Sequence, residues 1–290
     1  MNVWQRGGSR LRRQIVRWLR NAHDMERMRR HEDTRVAALA RAVDATIAGE
    51  FAAAERERIA AIEALRARLE ASRETLTLDA PGARSASCGG SPGERATRQV
   101  TLGRTTRRNS KRLPWCELLF RTLRELRPER AIELGTCVGI SASFQAAALE
   151  LNGAGHLVTL EGQEAFARIA RANLEELGLA GRATLVVGRF DETLPRVLAE
   201  PLGPVDFVFL DGNHTEEATW RYYEALLPAM RERGVFVFDD IDWSAGMRRV
   251  WTRVREDSRL GAAIDLTKIG VGVVGTSAGD VVPDQFTVAI

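Results

Sequence analysis

From Leu113 onward, short β-branched runs alternate with helical stretches, and no other feature of this chain restricts its fold as much. The runs are Ala131–Leu134, His156–Leu160, Thr184–Val187, Phe207–Leu210 and Val235–Phe238. Helical patterns fill Ser141–Leu151, Glu164–Leu177, Glu192–Ala199 and Glu216–Arg231 between them, after an amphipathic stretch marked by Trp115, Leu118, Leu119, Leu123 and Leu126. Strand and helix in strict alternation imply a parallel sheet with helices on both faces. Two later runs, Ala263–Thr267 and Val271–Val274, stand so close that a hairpin must join them. The expected fold class is α/β, a doubly wound, mostly parallel seven-stranded sheet with an N-terminal helical extension.

The extension differs in composition. Residues 9–30 place Leu11, Ile15, Trp18 and Leu19 on one helical face among arginines, which suits either an anionic membrane surface, a partner, or packing on the chain itself. Between Thr34 and Ser72, Val36, Leu39, Val43, Ile47, Phe51, Ile62, Leu65 and Leu69 recur mostly at spacings of three and four. This narrow seam predicts one long helix or two, set along the catalytic domain or in a coiled coil that drives homodimerisation. Gly, Pro and Ser collect over residues 79–98 without periodicity, the mark of a linker. The expected organisation is a helical extension over 1–78, a linker over 79–112 and a folded domain over 113–290.

Composition narrows the setting. Hydrophobic residues are 44% and charged residues 28%, as in ordinary globular proteins, and the formal net charge is only +3. That balance gives no reason to expect nucleic acid as a partner. Cys88, Cys116 and Cys137 have no metal-type spacing, and no apolar run approaches the roughly 18–20 residues of a membrane span, so a cytoplasmic protein is expected.

The chemistry concentrates at strand ends. Ala131–Ser141 (AIELGTCVGIS) reads as a buried strand, a glycine turn and a helix start, with Gly135 and Gly139 permitting close approach of a ligand to the backbone. The spacing is not the G-x-G-x-x-G of dinucleotide enzymes, which disfavours a nicotinamide-dependent oxidoreductase. Glu161 ends the second strand, where a carboxylate can accept both hydroxyls of a ribose. Asp211 ends the fourth strand and Asp239 and Asp240 end the fifth. Carboxylates gathered there repel one another unless protons or a cation intervene, and oxygen ligands suit a hard ion such as Mg²⁺ or another divalent cation. His214, three residues after Asp211, can act as a base near neutrality or cap the helix that follows.

The segment Glu133–Ser141 resembles motif I of S-adenosylmethionine-dependent methyltransferases, especially the catechol and caffeoyl-coenzyme A O-methyltransferase group. The resemblance continues in order through Thr159–Glu161, Leu185–Gly188, Phe207–Asp211 and Val235–Asp240. It implies a class I methyltransferase fold and S-adenosylmethionine as cofactor. Glu133, Gly135, Thr136, Cys137, Gly139 and Ser141 would serve its methionine part, Glu161 its ribose, and Gly188, Phe190, Asp191 and Asp211 the remainder. A divalent metal would sit on Asp211, Asp239 and Asp240, with His214 and Asp211 catalytic, though Asn is common in that group where this chain has Asp240. The implied reaction is O-methylation of a small-molecule hydroxyl. Two alternatives stand beside it, a metal-independent N- or O-methyltransferase using His214 and a noncatalytic scaffold whose helical arm binds a partner.

Overall fold

A computed structural model describes residues 21–79, 97–200, 203–276 and 282–288. Leu11 to Leu19 of the basic amphipathic stretch, Cys88, and the linker core at 80–96 lie outside them. Residues 21–29 are helical. Helices α1 (Thr34–Ala48) and α2 (Ala53–Ala71) follow, then strands β1 (Thr75–Asp79) and β2 (Thr97–Thr101) and helices α3 (Leu102–Asn109) and α4 (Leu113–Leu126). The alternating part comprises β3 (Arg130–Leu134), α5 (Ile140–Asn152), β4 (His156–Glu161), α6 (Glu164–Glu176), β5 (Ala183–Val187), α7 (Phe190–Ala199), β6 (Val205–Leu210), α8 (Glu216–Leu226), β7 (Met230–Phe238), α9 (Ala245–Arg255), β8 (Leu260–Asp265), β9 (Gly270–Val274) and β10 (Asp284–Thr287).

The main sheet has eight strands in the order β10-β8-β9-β7-β6-β3-β4-β5, one more than the seven expected. β9 runs antiparallel to both β7 and β8, which confirms the expected hairpin (Ala263 opposite Gly272, Asp265 opposite Gly270). The extra strand, β10, pairs parallel with β8. Every residue of β3 and of β6 is buried, as in strands covered on both faces.

Contacts divide the chain into two compact units. The first gathers the described parts of 1–50, 121–132 and 201–290. Here Asp206 of β6 is nearly buried and accepts the backbone N–H groups of Glu129 and Arg130, both at 2.9 Å, and Arg231 Nε at 2.5 Å, so one carboxylate fixes the entry into β3. Gly270 of β9 lies against the Trp251 ring, where an added Cβ would stand 2.6 Å from ring carbons. The edge strand β10 is covered by the 21–29 helix and the turn after it. Asp24 accepts the N–H of Thr287 at 2.9 Å, Arg27 donates to the carbonyl of Gln285 at 3.3 Å, and His31 lies 3.1 Å from Asp284. Covering an edge in this way removes a template for strand addition. Pro228 ends the expected 216–231 helix early, and β7 starts at Met230 opposite Val205.

The second unit gathers the described parts of 51–120 and 133–200. The expected linker over 79–112 is structured from residue 97. β2 pairs antiparallel with β1, Leu76 opposite Val100, and α3 continues directly from it. Leu76 and Leu78 are buried, which supplies the apolar contact that a linker would lack.

The Ala-rich segment is two helices, broken at Gly49 with its left-handed φ of +67°. Val36, Leu39 and Val43 of α1 and Ile59, Ile62 and Leu65 of α2 are buried within the chain itself. In unit one Arg35 donates to the carbonyl of Leu126 and Arg41 pairs with Glu125; in unit two Arg58 and Arg68 pair with Glu150 and Glu176. Most of the seam, expected to form a coiled coil or to lie along the catalytic domain, is buried by the same chain, while Ile47 near the end of α1 is exposed. Among the described residues no helix is long and apolar enough to cross a membrane.

Candidate active site

In the second unit, β3 delivers the chain into the turn Gly135–Gly139 and then into α5. Gly135 has φ +108°, Cys137 φ +49° and Gly139 φ +86°, so three positions of five adopt left-handed backbone. The N–H groups of Gly135 and Thr136 both donate to the carbonyl of Leu160, at 3.0 and 3.2 Å, and Gly139 N–H closes the turn on the carbonyl of Thr136 at 2.8 Å. An added Cβ at Gly139 would lie 3.0 Å from that of Ala170, so this glycine is demanded by space as well as by φ. Beyond it the free N–H groups of α5 form the positive end of a helix, suited to a carboxylate.

Glu161, nearly buried at the end of β4, holds this turn from below. One of its oxygens accepts Cys137 N–H at 2.7 Å and the other accepts Gln163 N–H at 2.8 Å. Burial raises its pKa above the ordinary carboxylate value despite these donors. Each oxygen retains accepting capacity for a ribose hydroxyl. Gly188 N–H meets the carbonyl of Glu161 at 2.9 Å, placing the end of β5 beside it. Phe190 and Asp191 open α7, the first half-buried and the second exposed, with Asp191 3.8 Å from Arg189.

Glu133 and Thr136 occupy a different place from the one the motif suggests. Both are fully buried. Glu133 accepts Gln145 Nε2 at 2.7 Å and Thr159 Oγ1 at 2.5 Å, and Thr159 in turn lies 2.5 Å from Thr136 Oγ1. The Ser141 hydroxyl also bonds to Glu133. These groups brace the turn from its inner side. Burial pushes the Glu133 carboxyl up to about 7, against the opposing hydrogen bonds of Thr159, Ser141 and Gln145.

The first unit carries the acidic cluster. Asp239 N–H donates to the carbonyl of Leu210 at 2.9 Å, so the ends of β6 and β7 stay in register and bring Asp211 and Asp239 together. Asp211, His214 and Asp239 each offer a ligand atom, all within 4.8 Å of one another. His214 Nε2 stands 3.4 Å from Asp211 Oδ1. Burial lowers the imidazole pKa, but the Asp211 hydrogen bond and the charges of Asp211, Asp239 and Asp240 outweigh it, and the net displacement is upward.

His214 does not cap α8; Thr215 does, accepting Ala218 N–H. The expected trio of carboxylates is replaced by two carboxylates and an imidazole. Asp240, half-buried with φ +50°, stands outside the trio and acts on His214 through its charge. Two carboxylates and an imidazole suit a divalent cation, carboxylate oxygen favouring the hard ions and nitrogen extending the choice to the transition metals.

Sequence reasoning missed Gln145, Thr159, Ala170 and Asn173. Gln145 and Thr159 lie on elements buried almost throughout, and Ala170 and Asn173 on the inner face of amphipathic α6, where only position against the turn gives such residues a role.

Residues 132–241 match a protein family described as a methyltransferase domain. A catechol O-methyltransferase of Niastella koreensis is 35% identical over 92 residues, 31% of this chain and 41% of that protein. A catechol O-methyltransferase of Mycobacterium tuberculosis is 33% identical over 122 residues, 42% and 52% of the two chains. The chain spans about half the length of these curated relatives. Among solved structures, the O-methyltransferase TomG of Streptomyces achromogenes, involved in tomaymycin synthesis and in complex with SAM, superposes with a TM-score of 0.52 at 26% identity, over 58% of this chain and 82% of that one. A Bacillus cereus O-methyltransferase in complex with SAH has the same fold, with a TM-score of 0.52 at 24% identity over 58% and 83%.

Proposed function

We propose that this chain is a class I S-adenosylmethionine-dependent methyltransferase of the catechol and caffeoyl-coenzyme A type, which transfers a methyl group to a hydroxyl oxygen of a small molecule; the methyltransferase-domain match over residues 132–241 and the O-methyltransferase relatives support this reading. The observation that carries this reading is the pairing of the Gly135–Gly139 turn with the buried Glu161 at 2.7 Å from Cys137 N–H. Glu161 takes the ribose hydroxyls, the N–H groups opening α5 take the methionine carboxylate, and Gly188, Phe190 and Asp191 border the adenine. When bound, S-adenosylmethionine would supply an electrophilic methyl carbon on a sulfonium, with the neutral thioether as the leaving group.

His214 removes the proton from the acceptor hydroxyl as its oxygen forms the new bond to carbon, and Asp211 orients the imidazole and stabilises its charged form. The protein's remaining task is alignment of oxygen and methyl group. Asp211 and Asp239 fit a divalent cation, which when bound would lower the hydroxyl's pKa and fix its orientation. A second reading omits the cation. The His214–Asp211 pair at 3.4 Å already has the base and its orienting group in place.

Calorimetric titration with S-adenosylhomocysteine, followed by turnover of a vicinal diphenol with Mg²⁺ and then with EDTA, tests both. Binding with EDTA-sensitive turnover supports the cation; binding with turnover indifferent to EDTA supports the second reading. Absence of binding refutes the cofactor assignment and returns the chain to the scaffold alternative.

A further inference from the structure

We propose that Asn173 of α6 is a positioning residue for the cofactor turn, fixing the backbone that receives the methionine part of S-adenosylmethionine. The inference rests on the reading of that turn as the cofactor site. Asn173 is nearly buried, and its Nδ2 donates to the carbonyl of Val138 at 2.8 Å across 35 residues of sequence. Val138 lies between Cys137 and Gly139, at φ +49° and +86°. A carbonyl between two left-handed residues is aimed by whatever bonds to it, and the peptide it belongs to joins Val138 to Gly139.

α6 touches the turn at a second point. Ala170 stands one helical turn before Asn173, on the same face, and occupies the space that a Cβ on Gly139 would need. A larger side chain at 170 would push the turn away from α6, and a missing donor at 173 would release it from that helix. Asn is a poor residue for a helix interior because its amide competes for backbone groups. Here the amide is directed out of its own helix to a distant carbonyl, which gives the residue a specific use.

The turn is therefore held from two sides. Glu161 grips Cys137 N–H from β4, and Asn173 grips the Val138 carbonyl from α6. Glu161 is also the group assigned to the ribose, so its hold on the turn is shared with the ligand. The hold of Asn173 is not. An apo turn already in its binding conformation avoids an ordering cost when the cofactor arrives, so loss of Asn173 shows in cofactor affinity before it shows in the methyl-transfer step.

The test uses the full chain and three variants, Asn173→Asp, Asn173→Ala and the control Leu174→Ala. Leu174 is buried on the same helix, so its truncation destabilises the unit without touching the Val138 carbonyl. Calorimetry with S-adenosylhomocysteine separates affinity from the folded fraction, because misfolded protein lowers the stoichiometry and leaves Kd unchanged. N173D and N173A should raise Kd by roughly tenfold, the size of one hydrogen bond's contribution. Turnover at saturating S-adenosylmethionine should fall by less than about twofold, and the Gly139 amide should exchange faster in the apo protein. L174A should lower Tm yet keep Kd within about twofold of wild type.

Kd values for N173D and N173A that match wild type overturn the inference alone. So does an L174A variant that weakens binding equally. A wild-type protein that does not bind S-adenosylhomocysteine overturns the cofactor reading and this inference with it.

Discussion

Glu133 is wholly removed from solvent, and its pKa is displaced from an ordinary 4.5 to about 7, chiefly by burial. At about 1.4 kcal/mol for each pKa unit, the difference of 7 − 4.5 corresponds to roughly 3 kcal/mol. The sign follows from which state holds the proton more tightly. The folded chain does, so Glu133's favourable contribution is complete below about 4.5 and is lost as pH rises through about 7.

Glu133→Gln keeps the shape and removes the charge. Its carbonyl can accept from Thr159, and its amide can donate to Gln145 Oε1, which has no partner among the described residues. The variant should match wild type in stability near pH 4.5 and exceed it by about 3 kcal/mol at pH 8.5. Urea unfolding of both proteins at intervals across that range measures this, with an unchanged m-value as the control for a comparable unfolded state. His214, which is not among the groups acting on Glu133, contributes to both proteins and cancels in the difference, whereas Glu161 repels the charged Glu133 and its relief in the variant adds to the gain at high pH. A difference between the two proteins that is flat with pH, or that shrinks as pH rises, refutes the reasoning.

Gly139→Ala should cost about 1–3 kcal/mol, since it forces an L-residue to φ +86° against Ala170; an unchanged melting temperature would refute the close approach. Asp206→Ala should cost about 2–3 kcal/mol by stranding the backbone N–H groups of Glu129 and Arg130, read as a lower denaturant midpoint, and a loss below about 0.5 kcal/mol would show that water replaces the carboxylate. His214→Gln should reduce turnover by about 10²–10⁴-fold with S-adenosylhomocysteine affinity unchanged. Because the imidazole must be neutral to accept a proton and its pKa is raised, wild-type turnover should climb with pH through a value above 6.5, and that limb should vanish in the variant; a limb that persists assigns the base elsewhere.

The alternating core could be read from sequence because strands covered on both faces are continuous apolar runs, such as Phe207–Leu210, that no surface element imitates. β1 was open to detection in its alternation of Thr75, Leu76, Thr77 and Leu78, but its partner β2 has little apolar content and follows a long intervening segment. β10 is four residues long, and nothing in those residues names β8 as its partner.

The candidate site divides in the same way. Glu161, Asp211 and Asp239 stand at strand ends, where the motif and the topology agree. Glu133 lies inside a strand buried on both faces, so period-two reasoning does not say which way its carboxyl turns. Asp240 follows Asp239 in sequence, yet its left-handed backbone departs from the strand, and the nearest third donor is His214. Asn173 is a polar residue on an amphipathic helix, and only the fold brings it to Val138.

The bonds from Asp24, Arg27 and His31 to β10 join parts of the chain separated by as many as 263 residues. On a ribosome, the 21–29 helix is synthesised long before the strand it covers. At about 5–20 residues per second the interval is on the order of 10–50 s. Throughout that interval Asp24, Arg27 and His31 have no β10 edge to bond. Closure of this edge therefore waits for β10, however early the helix that covers it has formed.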